Sequence, residues 1–172
     1  INVSPVPGES PPQLIRADSW RRNCAATDAS ATRPARPSPC SSVTASIKAR
    51  LLNQAKKAEE EFQLYLVRYA CERFLYRLGA SPYRERCILK GAGLLTLWMP
   101  DPYRGTRDLD FMAFGANDEA SIRDLMSAVC AVECPEDGLS FDLDTLGVTP
   151  IRADEEYEGQ RVRLTAFLGK AR

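Results

Sequence analysis

From about Val43 onward, apolar and polar positions recur with two distinct periods, and those periods mark the elements. Ser46 to Ala58 carries Ile47, Leu51 and Ala55 at helical spacing, with lysines and arginines on the other side. This predicts an amphipathic helix. Phe62 to Leu78 is a stronger helix, with Phe62, Leu66, Tyr69, Ala70 and Phe74 in one stripe that Leu64, Val67, Cys71, Leu75 and Leu78 widen. A helix this apolar packs on more than one side. Gly79 is expected to stop it and Ser81-Pro82 to prevent its continuation. The join at Lys57–Glu61 has no Gly or Pro, so one bent helix is the alternative. Phe62, Tyr65, Tyr69, Phe74 and Tyr76 are read as core rather than as a base-stacking platform.

Arg86 to Lys90 reads as a short strand, and Gly91-Ala92-Gly93 turns it into an apolar helix at Leu94–Trp98. Met99 to Gly105, with Pro100 and Pro102, is loop. Arg107 to Phe114 alternates as the central strand, with Asp108, Asp110 and Met112 on one face and Leu109, Phe111 and Ala113 on the other. Asn117 is the expected cap of a helix buried through Ile122, Leu125, Met126, Val129 and Val132. Glu136-Asp137-Gly138 turns into an outer strand at Leu139–Leu143 with its acids facing water. A turn at Tyr157-Glu158-Gly159-Gln160 precedes a half-buried strand at Arg161–Leu168. The pattern is that of an α+β domain, a mixed sheet flanked by helices.

Residues 1–42 differ in texture, being rich in Pro, Ser and Ala with no sustained apolar period. Such a segment buries too little apolar surface to offset its ordering entropy, so it is expected to be a disordered tail, with the folded domain at 43–172. The tail is basic, with Arg16, Arg21, Arg22, Arg33 and Arg36 against Glu9 and Asp18. The chain opens on Ile1 rather than methionine, as a fragment or an upstream-extended reading frame would. No apolar run approaches the roughly 18 residues of a membrane span, and no signal-peptide core is visible, so a cytoplasmic protein is expected. Net charge is +0 and histidine is absent from the chain. Histidine-based triads, histidine bases and the usual zinc sets are thereby excluded. The 6 cysteines show no paired CxxC spacing and are read as reduced, buried thiols.

Two short motifs carry chemistry. Asp108-x-Asp110 places two carboxylates on one strand face, roughly 7 Å apart at the backbone. Such hard oxygen donors suit Mg²⁺ bridging nucleotide phosphates. Leu109 and Phe111 bury the opposite face, which makes the strand internal; two unpaired acids there are costly unless a cation compensates them. Gly91-Ala92-Gly93 lets backbone N–H groups approach a phosphate at a helix start. It is not a P-loop, since the Gly-Lys-Ser/Thr ending is missing and Lys90 precedes the glycines. Taken singly, the first is also a solvated strand face and the second a plain tight turn. Arg84, Arg86, Arg104 and Arg107 would give a local basic rim.

In combination, Lys90-Gly91-Ala92, an apolar helix and Arg104-Gly105-Thr106-Arg107-Asp108-Leu109-Asp110 resemble the AbiE-type (AbiEii) toxin nucleotidyltransferases of the DNA polymerase β-like superfamily. The likeness extends over about residues 43–172 and includes the two leading helices and the Tyr157–Leu164 turn and strand. It implies a minimal nucleotidyltransferase domain that uses an NTP and Mg²⁺, the toxin half of a bacterial toxin–antitoxin pair. The acceptor would be the tRNA 3′ end or another RNA, and the partner a cognate antitoxin. By the same resemblance Asp108 and Asp110 hold metal, Gly91 and Ala92 line the triphosphate, and Arg104, Thr106 and Lys90 contact or support the phosphates. The family's third acid follows the segment ending here at Arg172, so a C-terminally truncated chain, inactive alone, is expected. Asp142 and Asp144 are the internal candidates to replace it. The alternative is a non-catalytic remnant that binds nucleotide or antitoxin.

Overall fold

The computed structural model describes residues 1–5, 39–94, 107–151 and 159–171. Strand β1 spans Asn2–Pro5, helix α1 Pro39–Ala58, helix α2 Phe62–Ala80, β2 Cys87–Lys90, β3 Asp110–Ala113, helix α3 Glu119–Cys130, β4 Leu139–Ile151 and β5 Gly159–Leu168. The strands form one sheet in the order β2-β3-β1-β5-β4. β1 runs parallel to β3, and the other neighbours are antiparallel. This is the α+β architecture with a mixed sheet that the periodicity predicts.

The placement of β1 corrects the reading of residues 1–42 as lying outside the fold. Val3 is 2% exposed in the middle of the core. The amide of Asn2 reaches Leu109 O at 2.8 Å and Val162 N reaches Ile1 O at 2.7 Å, so both edges of β1 are paired. Ile1-Asn2-Val3-Ser4 does alternate, but four residues ahead of Pro5 are too short a run to outweigh the proline-rich texture that follows. Tertiary pairing, not local propensity, makes this strand. α1 also begins ahead of the expected boundary, at Pro39. Residues 6–38, including the basic tail's arginines, lie outside the described residues.

α1 and α2 are separate helices. Glu59 takes φ +58, while Glu60 N reaches Ala55 O at 3.0 Å and Glu59 N reaches Lys56 O at 3.4 Å. That is a Schellman ending built on a residue other than glycine, which is why composition gave no stop signal. Conversely, Gly79 lies within α2, which runs on to Ala80 and ends where Ser81 Oγ donates to Leu78 O at 2.8 Å. The cap of α3 is Asp118, which accepts from Ser121 N, rather than Asn117.

One sheet face carries the core. Val3, Leu109, Phe111, Val148 and Val162 meet Phe74 and Leu78 of α2 and Ile122, Met126 and Val129 of α3. Each such side chain, fully buried, contributes about 1.5–3 kcal/mol. Phe74 stands between Phe111 and Phe141, at 6.3 and 6.0 Å between ring centres. Of the aromatic stripe, Tyr76, at 49% exposed, and Tyr65, whose ring lies under Arg68, stand outside the core. A smaller cluster of Ile47, Leu66, Leu139 and Leu168 seats α1. Asp137, in the turn before β4, is 2% exposed and bound to Arg77 Nη1 at 2.7 Å and Arg73 Nε at 3.1 Å.

Candidate active site

Strand alternation puts Asn2, Ser4, Asp110 and Met112 on the sheet face turned away from α2 and α3. On that face one register line crosses four strands. Lys90 of β2 lies opposite Asp110 of β3, Asp110 opposite Asn2 of β1, and Asn2 opposite Arg161 of β5. Cross-strand neighbours on one face stand close enough for side chains to meet.

Of these neighbours, Asn2 bonds Asp110: its Nδ2 donates to Asp110 Oδ1 at 2.8 Å. On the other side is the turn: Gly91 takes φ +71, and a Cβ there would lie 2.6 Å from Asp110 Oδ2. Only glycine satisfies both the left-handed backbone and the close approach of the carboxylate. Gly93 is small for a different reason, since it packs on Leu109 and a Cβ would meet Leu109 Cδ2 at 3.4 Å. Residues 92–94 start a helical turn, with Leu94 N on Gly91 O at 3.1 Å. Ala92 is exposed beside Gly91. Lys90 is half-buried, and its Nζ donates to Ser4 Oγ at 3.3 Å.

β3 is shorter than expected and begins at Asp110, so Asp108 precedes it. The burial alternation nevertheless continues, with Asp108 exposed and Leu109 2% exposed. Asp108 and Arg107 stand at a cavity of about 390 Å³ whose other walls include Leu66, Phe74, Phe141 and Leu164. Cys71 also lines it, and burial pushes its thiol up to about 11. Burial likewise raises Cys87 to about 11 and Cys130 to about 12. These thiols stay protonated at neutral pH and are poor nucleophiles. Cys71, Cys87, Cys130 and Cys134 are free, as expected.

The structure therefore brings together Lys90, Gly91, Ala92 and Asp110, whereas Asp108 stands two residues ahead, at the cavity beside α2. Arg104 and Thr106 lie outside the described residues. Arg86 is not part of a basic rim: its guanidinium donates to Phe114 O at 2.7 Å and to Ala116 O. Arg107 remains exposed, 3.6 Å from Glu61. Asp142 and Asp144 sit on the edge strand β4, with β5 and β1 between them and β3, so they cannot join this cluster. Asn2 and Ser4 were not singled out from the sequence. Their only signal was the brief alternation around Val3.

Among the described residues, no group of three or more His, Cys, Asp or Glu side chains is placed to hold a metal. The donor set that exists is two carboxylates. That suits Mg²⁺, which is commonly bound through one or two carboxylates together with substrate phosphates and water.

An internal strand with one acid at its first residue and another two residues ahead, and a small-residue turn laid against the first, fits the nucleotidyl-transferase class. A family model described as "Nucleotidyl transferase AbiEii toxin, Type IV TA system" matches residues 73–172, and the chain belongs to that family. Neither a curated protein nor a solved structure matches the chain. Membership makes it, by family, a nucleotidyl transferase of toxin–antitoxin type. The match runs from the second half of α2 through β5 and includes the turn and both aspartates. No helix among the described residues is long and apolar enough to cross a membrane.

Proposed function

We propose that this protein transfers a nucleotide from an NTP to a hydroxyl acceptor such as the tRNA 3′ end, with Mg²⁺ held by Asp108 and Asp110. It would act in the bacterial cytoplasm and be restrained by a cognate antitoxin. The observation that supports this most is the contact between Asp110 and the Gly91 turn. It sets a carboxylate beside the glycine turn that opens a helical start, where a triphosphate would be drawn by dipole and hydrogen bonds. Mg²⁺, when bound, supplies the Lewis acid that neutralises phosphate charge.

The chain's own residues do the rest. Gly91 and Ala92 offer unobstructed backbone to the phosphates. Lys90 brings a cation to the same register line as Asp110, and Ser4 steadies it. Arg104 and Thr106, by the family resemblance, flank the triphosphate. Asp108 is exposed beside the 390 Å³ cavity, where it meets solvent and the incoming substrate. The test is Mg²⁺-dependent incorporation of α-labelled NTP into RNA. Full-length wild-type protein should label the RNA and its Asp108→Ala variant should not. Labelling that persists in Asp108→Ala would overturn the assignment, and NTP binding without transfer would mark a binding remnant instead.

A further inference from the structure

The matched family segment begins at Arg73, so β1 stands outside it, yet β1 is the strand that flanks Asp110. Its contribution is specific in chemistry. Asn2 Nδ2 donates to Asp110 Oδ1 at 2.8 Å, and Asn2 Oδ1 accepts from Arg161 Nε at 3.4 Å. A carboxylate only accepts and a guanidinium only donates, so these two partners decide which way the carboxamide points. The second oxygen of Asp110, Oδ2, lies along the Gly91 turn, where a Cβ would come within 2.6 Å of it. One oxygen is thus tied to β1 and the other is directed along the turn.

We propose that Asn2 is the positioning residue of Asp110, its carboxamide oriented by Arg161 and holding the carboxylate toward the Gly91 turn. A neutral amide does this without cancelling the negative charge, as a lysine would, or adding a second one, as an aspartate would. Ser4, the next residue on the same face of β1, holds the Lys90 ammonium at 3.3 Å. The short strand therefore contacts all three charged groups of the register line, Lys90, Asp110 and Arg161. This inference rests on the reading of Asp110 as a metal ligand, and its test separates the two.

Mn²⁺ binding to the full chain is measured by calorimetry for wild type, Asp110→Asn, Asn2→Leu and Asn2→Asp, with the thermal midpoint recorded for each. Residues that orient a metal ligand typically change affinity by about 10–100-fold when replaced. Asn2→Leu should weaken Mn²⁺ binding by that order. Asn2→Asp sets a second carboxylate against Asp110, so it should bind Mn²⁺ more tightly and gain thermal stability when the metal is added. Asp110→Asn should lose Mn²⁺ binding. If Asp110→Asn binds like wild type, the metal-site reading itself is overturned. If Asp110→Asn loses binding while Asn2→Leu and Asn2→Asp keep wild-type affinity, the positioning role alone is overturned, whatever happens to their thermal midpoints. Should Asn2→Leu fail to fold, unchanged affinity in Asn2→Asp overturns it by itself.

Discussion

Asp137 and Asp110 are both carboxylates held by N–H donors, and the donors differ in charge. Asp137 is buried and takes Arg77 Nη1 at 2.7 Å, Arg77 Nη2 at 3.3 Å, Arg73 Nε at 3.1 Å and Leu139 N at 2.9 Å. Its charge is answered by two guanidiniums, and the product is a tie between α2 and the start of β4. Arg77 extends that tie to Val132 O and Leu139 O and lies 5.2 Å over the Phe141 ring. Asp110 is half-buried and is gripped by a neutral carboxamide at 2.8 Å. A carboxylate saturated by cations is structure, whereas one oriented by a neutral donor keeps its charge for a ligand.

The largest effect that bears on this contrast is Asp137→Ala. Leaving Arg77 buried without its partner should cost about 3–5 kcal/mol in denaturant unfolding. Asp110→Asn should cost less than about 1 kcal/mol, because it removes a partly exposed charge and keeps the shape. Equal losses at the two sites would break the comparison. Gly91→Ala comes next. A left-handed residue with a Cβ costs roughly 1–2 kcal/mol, and here that Cβ also displaces Asp110 Oδ2. Stability and Mn²⁺ affinity should therefore fall together, measured by urea unfolding and calorimetry.

The thiols offer a third case, groups in which burial outweighs a nearby cation: the Ile1 ammonium for Cys71, Arg86 for Cys87 and Arg77 for Cys130. Folded Cys71 and Cys87 titrate near 11 and Cys130 near 12, while an unfolded thiol titrates near about 8.5. Below about pH 8 both states keep the proton and stability is unaffected. As pH rises past about 9 the unfolded chain sheds protons that the folded chain retains, so stability falls. The urea midpoint should drop between about pH 9 and 11, and Cys71→Ala, Cys87→Ala and Cys130→Ala combined should flatten that drop. The smallest effect belongs to Arg107→Ala. Its contact with Glu61, at 3.6 Å and largely exposed, should be worth within about 0.5 kcal/mol.

What could be read from the sequence was whatever local period carries. The faces of α2 and α3, the inside–outside alternation through Asp108–Ala113, and the small-residue turn after Lys90 all depend on neighbours a few positions apart. β1 does not: Asn2 meets Asp110 across 108 positions of chain, and four residues hold too little pattern to announce that pairing. The rim reading of Arg86 fails for a related reason: an arginine beside a turn looks free until its long-range partner, the Phe114 carbonyl, is known. The end of α1 was hidden because Glu59, not glycine, takes the left-handed position. Within the candidate site, the grouping of Lys90, Gly91, Ala92 and Asp110 was legible from motif and spacing. Asn2 and Ser4 required the fold.

The most direct test of the central claim is transfer itself, with Asp110→Asn and wild type assayed side by side for α-labelled NTP incorporation into tRNA in Mg²⁺. The expected result is labelling by the full-length wild type and a fall of about a thousandfold in its Asp110→Asn variant, as expected for losing several kcal/mol of charge stabilisation, with the thermal midpoint unchanged. Labelling that persists at the wild-type rate in Asp110→Asn would contradict it.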